Sequence, residues 1–194
     1  MRLCGLTGGV GMGKSTAAGF FLQLGVRIVD TDELAHQLVE PGEPALVEIQ
    51  NAFGGGLVPA DGRLDREELA RLVFANAGAR KKLEAILHPR IRERWEAQVQ
   101  SWRREDCPVA MVVIPLLYET AAEKSFDRIV CVACTPRGQQ ERLRARGWPP
   151  EQVRGRVAAQ MAIDQKIGRA DFVVWTEGSL ASHQRQVAEI MKRI

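Results

Sequence analysis

Gly8-Gly9-Val10-Gly11-Met12-Gly13-Lys14-Ser15-Thr16 fits the pattern G-x-x-x-x-G-K-[ST] and lies between a short apolar run and an amphipathic stretch. In that context the nine residues read as a phosphate loop. Successive backbone N–H groups of a glycine-rich turn can all point at a dense anion, because no Cβ atoms stand in the way. Lys14 adds a point charge for the β- and γ-phosphates of a triphosphate, Ser15 offers a hydroxyl to Mg²⁺, and the helix starting here turns its positive dipole end toward the anion. The expected binding set is Gly8, Gly11, Met12, Gly13, Lys14, Ser15 and Thr16, with Ser15 also the metal residue. The competing reading is a plain glycine-rich turn before a helix.

Upstream, Leu3 to Thr7 reads as a buried strand. Downstream, Ala17, Phe20, Phe21 and Leu24 share one helix face, and Gly25 ends that helix. Val26 to Val29 is a second strand, followed by Asp30-Thr31-Asp32. Ligands of a parallel sheet gather at the carboxyl ends of its strands, which would bring these carboxylates beside the loop. Spacing alone favours a different job, since Asp caps helices and a helix with Leu34, Leu38 and Val39 begins here.

From Pro41 to Asp106 the texture is helical, punctuated by Pro41-Gly42-Glu43-Pro44, Phe53-Gly54-Gly55-Gly56 and Asp61-Gly62, with no buried-strand run. Asp65 and Glu68 form a capping-box-like start. A longer helix after His88-Pro89 carries Ile91, Trp95, Val99 and Trp102 on one side, which reads as core packing rather than a ligand platform. His88 reads as a structural histidine. Val109 to Ile114 is the most apolar strand and is expected at the centre of the sheet; Arg128 to Ala133 and Phe172 to Trp175 complete five. Thr135-Pro136 opens a helix to Gly147, a second runs from Trp148-Pro149-Pro150 toward Asp164, and a last one starts near Ser179. The alternation predicts an α/β three-layer sandwich with a five-stranded parallel sheet of the phosphate-loop kinase type, one domain over 1–194. Within it, 41–106 is a helical insertion and 136–164 a lid region.

Arg142, Arg144, Arg146, Arg154 and Arg156 surround the turn at Gly147-Trp148-Pro149-Pro150, and Arg142 and Arg146 share a helix face. A charge run is usually a solvated face; after a phosphate loop, guanidinium groups that neutralise a moving phosphoryl group are the alternative. Net charge is only +3, so no general nucleic-acid surface is expected. The longest apolar run, Val109 to Leu117, is too short to span a bilayer, and the N-terminus lacks signal-peptide character, so the expected compartment is the cytoplasm. The cysteines at 4, 107, 131 and 134 lack metal-site spacing and read as buried thiols. The D-x-x-G and N-K-x-D motifs of regulatory GTPases are absent, and the apolar strand ends in Ile114-Pro115 rather than adjacent acids, which leaves a small kinase.

The chain resembles the dephospho-coenzyme A kinase family over nearly its whole length. The resemblance rests on Leu6 to Thr16, on Val29-Asp30-Thr31-Asp32 with Val39-Glu40-Pro41-Gly42, on Asp61-Gly62-Arg63-Leu64-Asp65-Arg66, and on Leu87-His88-Pro89. It continues in Ile114-Pro115-Leu116-Leu117-Tyr118-Glu119, Arg142 with Arg146, Gln160, and Ala170-Asp171-Phe172-Val173. Two departures stand out: Met12 where the family usually has a small residue, and Thr176-Glu177-Gly178 where it commonly has an Asn-containing turn. The resemblance implies transfer of the γ-phosphoryl of ATP, with Mg²⁺, to the ribose 3′-hydroxyl of dephospho-coenzyme A. It implies catalytic roles for Lys14, for Asp32 at the acceptor proton, and for Arg142 with Arg146 on the transferred group. It also implies acceptor binding by 41–106 and a lid over ATP. The expected partners are the small molecules ATP and dephospho-coenzyme A, with no nucleic acid or membrane, and the expected state is a monomer. A kinase of the same architecture with another acceptor is the runner-up, and a nucleotide-dependent switch protein is the reading from a different class.

Overall fold

β1 (Arg2–Gly8) is flanked on both sides by parallel neighbours and sits at the middle of a five-stranded sheet. In the computed structural model, which describes residues 1–59 and 62–194, the other strands are β2 (Arg27–Asp30), β3 (Val109–Val113), β4 (Arg128–Ala133) and β5 (Phe172–Trp175). Their order is β2-β3-β1-β4-β5, with all pairings parallel. The expected central strand was the most apolar one, β3, but β3 lies between β2 and β1. Apolarity on both faces reports that a strand is covered on both sides, and every inner strand of a parallel sheet meets that condition.

The chain divides into two compact units, Met1–Asp30 with Ser101–Ile194, and Thr31–Gln100. In the first, residues alternate between two faces of the sheet. Cys4 and Leu6 of β1, Val130 and Val132 of β4 and Val174 of β5 pack with Ala17 and Phe21 of α1 (Lys14–Gln23). α8 (Ile163–Arg169) precedes β5, and α9 (Leu180–Met191), which follows it, adds Val187 and Ile190 to that core. The opposite face is covered by α8, whose Lys166 acts on Cys131 of β4. On that same face Gly5 admits the Leu117 and Phe126 side chains, which a Cβ would meet at 2.6 and 3.1 Å. Helices on both sides of a parallel sheet make the three-layer α/β sandwich. Fully burying a side chain such as Phe21 contributes about 1.5–3 kcal/mol, so this core is the main support of the loop above it.

The second unit contains helices, turns and no strand among its described residues. It contains α2 (Thr31–Gln37), α3 (Pro44–Phe53), α4 (Arg66–Ala75) and most of α5 (Ala77–Arg104), around a core that includes Leu38, Val39, Ala45, Ile49, Leu57, Leu69 and Ile86. Asp65 caps α4 by accepting from Glu68 N at 2.9 Å. Asp61, part of the Asp61 to Arg66 segment of the resemblance, lies outside the described residues. The helix expected to follow His88-Pro89 in fact begins at Ala77 and passes through Pro89. Proline removes one backbone donor from the ladder. One turn back, the Arg90 guanidinium supplies a donor to Ile86 O at 2.7 Å. Trp95, Val99 and Trp102 are buried along α5, as a core stripe requires.

In the first unit, α6 (Pro136–Ala145) and α7 (Pro150–Ala158) form a helical hairpin. The helix expected to run on to Asp164 ends at Ala158, and α8 is a separate element. The four cysteines are free and buried; burial pushes the Cys4 thiol up to about 12 and that of Cys131 to about 11, so both are inert near neutral pH. No helix among the described residues is long and apolar enough to cross a membrane.

Candidate active site

β1 ends at Gly8, and the loop turns directly into α1. At Gly8 the backbone has φ +145° and a Cβ would lie 2.2 Å from Val132 O of β4, so any side chain would separate the two strands. Gly13 is the N-cap of α1 in the left-handed region, φ +95°, which frees the N–H groups of the first turn to face the loop. Lys14 Nζ donates to Gly8 O and Gly9 O at 3.0 Å each, which folds its ammonium over the cradle. Ser15 and Thr16 are exposed in the first turn of α1. Met12, where a small residue was the norm, is buried. Its side chain packs against Gly9 of the loop, where a Cβ would meet Met12 Sδ at 2.8 Å, and Met12 N donates to Gly9 O.

Two glutamines hold the apex. Val10 N donates to Gln160 Oε1 at 2.9 Å, and Gln139 Nε2 donates to Val10 O at 2.7 Å. Gln160 stands just beyond α7, and its neighbour Met161 N donates to Glu119 Oε1 at 2.7 Å. Glu119 pairs with Lys166, whose Nζ is fully buried and also donates to Pro115 O at 2.7 Å. Burial works to raise the Glu119 carboxyl, but hydrogen bonds from Lys166 and the Met161 amide outweigh it and hold that carboxyl below the usual carboxylate range. Thr7 Oγ1 at the end of β1 donates to the same Pro115 carbonyl at 3.3 Å. The circuit therefore starts and ends at the loop.

On the other side, α6 is fixed to the turn after β5. Arg142 donates to Thr176 Oγ1 at 2.8 Å and to Thr176 O, while Thr176 Oγ1 donates to Met12 O at 2.8 Å. Thr135 caps α6 by accepting from Gly138 N at 3.1 Å, and its own N–H and hydroxyl donate to Glu177. Hydrogen bonds from Thr135 hold the Glu177 carboxyl low, with the Arg142 charge adding to them. The two residues at the unusual turn are thus structural links from the phosphate loop to α6.

Gly11, Gly13, Thr16, Arg142, Arg146 and Thr176 line a groove of about 430 Å³ together with Ala145, Gly178, Leu180 and His183. Of the expected site residues in this unit, the loop and both arginines are brought together. Arg146 is the C-cap of α6 and is exposed, whereas Arg142 is half-buried. Asp30 ends β2 in register with Val113, which pairs with Leu6 of β1, so it lies at the carboxyl edge of the sheet. Asp32 follows in the first turn of α2, where a carboxylate complements the helix dipole, and it is exposed within the helical unit. His88 is half-buried on α5. Sequence reading missed Gln139 and His183, whose partners and surroundings lie far away along the chain and leave no local pattern.

No group of three or more His, Cys, Asp or Glu side chains among the described residues could hold a metal by itself. A Ser hydroxyl at a phosphate loop suits a hard cation that takes its other oxygens from phosphates and water.

The dephospho-CoA kinase family model matches residues 2–182. A dephospho-CoA kinase of Thiobacillus denitrificans is 45% identical, covering 100% of this chain and 95% of its own length. One of Symbiobacterium thermophilum is 42% identical over 96% of this chain and 79% of its own. Among solved structures, a Thermus thermophilus protein superposes with TM-score 0.83 at 33% identity, covering 100% of this chain and 97% of that one. The same fold recurs in a Campylobacter jejuni dephospho-CoA kinase, with TM-score 0.73 at 24% identity over 100% and 97% of the two chains. With a family model matched over residues 2–182 and relatives more than 40% identical across nearly the whole chain, the chain belongs to the dephospho-CoA kinase family.

Proposed function

We propose that this protein transfers the γ-phosphoryl group of ATP to the ribose 3′-hydroxyl of dephospho-coenzyme A, giving coenzyme A and ADP in the last step of coenzyme A biosynthesis. The observation that carries the reading is the groove in which Gly11, Gly13 and Thr16 of the loop face Arg142 and Arg146. In the reaction an oxygen–phosphorus bond forms between the acceptor hydroxyl and the γ-phosphorus while the bond to the β-phosphate oxygen breaks. ADP leaves with that electron pair. The loop amides and Lys14 hold the phosphates, and Arg142 with Arg146 neutralises charge spread over the phosphoryl oxygens. Asp32 accepts or orients the acceptor proton. A carboxylate at its ordinary pKa is a weak base for a sugar hydroxyl, so orientation is the larger part of that role.

Mg²⁺ bound to the phosphates would neutralise charge on the β- and γ-oxygens, and Ser15 is the protein oxygen suited to hold it. The helical segment 41–106 serves as the acceptor-binding part and 136–164 as a lid over the donor. The protein works as a cytoplasmic monomer on small molecules. A coupled ADP-release assay with ATP, with and without dephospho-coenzyme A, tests the reading. Acceptor-dependent turnover supports it; slow, acceptor-independent release would replace it with a nucleotide switch.

A further inference from the structure

Thr176 directly follows β5 and is 2% exposed, and its hydroxyl is used in both directions. Its proton goes to Met12 O of the phosphate loop at 2.8 Å, with Ala133 O the next acceptor at 3.2 Å. The same oxygen accepts from Arg142 Nη1 at 2.8 Å, and Arg142 Nη2 donates to the Thr176 carbonyl. The γ-methyl branch packs on the loop, since a Cβ on Gly13 would meet Thr176 Cγ2 at 3.3 Å. One buried side chain therefore touches two consecutive loop residues and grips the guanidinium.

The helix that carries Arg142 does not depend on this grip. α6 is already seated on the loop by Leu143, which is fully buried and which a Cβ on Gly11 would meet at 2.8 Å, and by the bond from Gln139 to Val10 O. Those contacts fix the backbone of α6 and leave the long Arg142 side chain to be placed by something else. Ordering an arginine costs rotamer entropy, and a group that must be ordered during the reaction is a poorer stabiliser of developing charge than one already in place. The bonds to Thr176 remove that freedom beforehand. They use one N–H of each terminal nitrogen, so the guanidinium fork has further donors for an anion.

We infer that Thr176 is a positioning residue for phosphoryl transfer: its hydroxyl, anchored on Met12 O, sets the Arg142 guanidinium in the groove that Gly11, Gly13 and Thr16 also line. It acts through Arg142 and contacts no reacting atom. This rests on the kinase reading and on the role of Arg142 in it.

The test is a double-mutant cycle on kcat and on both KM values, using wild type, Thr176→Val, Arg142→Ala and the two together. Thr176→Val keeps the branched shape and the methyl against Gly13 and removes the hydroxyl. It should lower kcat roughly 10-fold, the scale of one hydrogen bond to a charged group, while both KM values stay within about threefold. In the Arg142→Ala background the same change should move kcat less than about twofold, because no guanidinium is left to place. Thr176→Ser, which keeps the hydroxyl and drops the methyl, should recover most of the lost kcat. If Thr176→Val fails to fold, Thr176→Ser against Thr176→Ala isolates the hydroxyl in the same cycle.

An equal loss of kcat with and without Arg142 overturns the proposal, since the hydroxyl would then act on the loop through Met12 alone. So does an unchanged kcat, a rise in KM for ATP with kcat intact, or a serine variant as slow as the valine or alanine one. Absence of acceptor-dependent turnover in wild type sinks the kinase reading together with this role, whereas wild-type turnover with additive variants sinks the role of Thr176 alone.

Discussion

The backbone N–H of Val10, at the apex of the phosphate loop, donates to Gln160 Oε1 at 2.9 Å across 150 positions of sequence. That bond, with the one from Gln139, ties the loop to both helices of the α6–α7 hairpin: Gln139 lies within α6 and Gln160 just after α7. A loop shaped only by its glycines would explore many conformations, so these tethers reduce the ordering cost of binding phosphate.

Gln160→Ala should therefore lower kcat/KM for ATP by roughly 2- to 10-fold, the range of one neutral hydrogen bond. The KM for dephospho-coenzyme A should hold within about twofold. Steady-state kinetics with each substrate varied in turn measures both, and an unchanged ATP dependence would mean the loop keeps its shape without the tether.

Lys14 and Asp32 should fail differently. Lys14→Ala removes the ammonium that lies over Gly8 and Gly9, so KM for ATP should rise and kcat fall together. Asp32→Asn should leave the KM for ATP nearly intact and cut kcat by roughly 10²-fold or more. If Asp32→Asn keeps wild-type turnover and loses about 1 kcal/mol of stability instead, its role is to support the first turn of α2.

The loop and both arginines were legible because their signals are local: a fixed spacing of glycines and a lysine, and two arginines four apart on one helix. Strand order was not legible from apolarity, since β1 and β3 are both inner strands and both rich in buried residues. Helix boundaries at Pro89 and after Ala158 escaped for another reason. A proline carried inside a long helix, as Pro89 is in α5, is not written in propensity. The turn at Thr176-Glu177 stood out as a departure, yet its bonds to Arg142, Met12 and Thr135 emerge only when distant segments meet. Lys166 illustrates the same limit, because a lysine on a short helix normally reads as a solvated charge and here is fully buried against Glu119.

That buried pair predicts a pH signature. The Glu119 carboxyl is held below its ordinary 4.5 in the folded chain, so its contribution to stability is fully present above about pH 4.5 and is lost as pH falls through the lower folded value. Glu119→Gln should lower Tm at pH 7, because Lys166 is left buried without its counter-charge. The Tm gap from wild type should then narrow as pH falls below 4.5. Thermal melts of both proteins across that range check the sign, and a gap that stays constant would remove the pair from the stability of the loop circuit.

The α6–α7 hairpin carries its own reporter. Trp148 lies in the turn between the helices, its backbone N–H donates to Leu143 O at 3.3 Å, and the Arg156 guanidinium sits 4.5 Å from its ring centroid. If this segment closes over bound nucleotide, phosphates draw Arg142 and Arg146 inward and the tip moves with them, so the surroundings of Trp148 change. Emission should shift when a non-hydrolysable ATP analogue is added with Mg²⁺. Trp95 and Trp102 are buried and Trp175 ends β5, so the signal is isolated by replacing these three with Phe in a variant that keeps activity. The difference between wild type and Trp148→Phe under the same additions gives a second estimate if the triple replacement fails to fold. Adding Arg142→Ala with Arg146→Ala should shrink the shift, because the charge-assisted contacts that favour the closed form are gone. A Trp148 spectrum that stays fixed at saturating nucleotide would make the basic hairpin a solvated face that does not move.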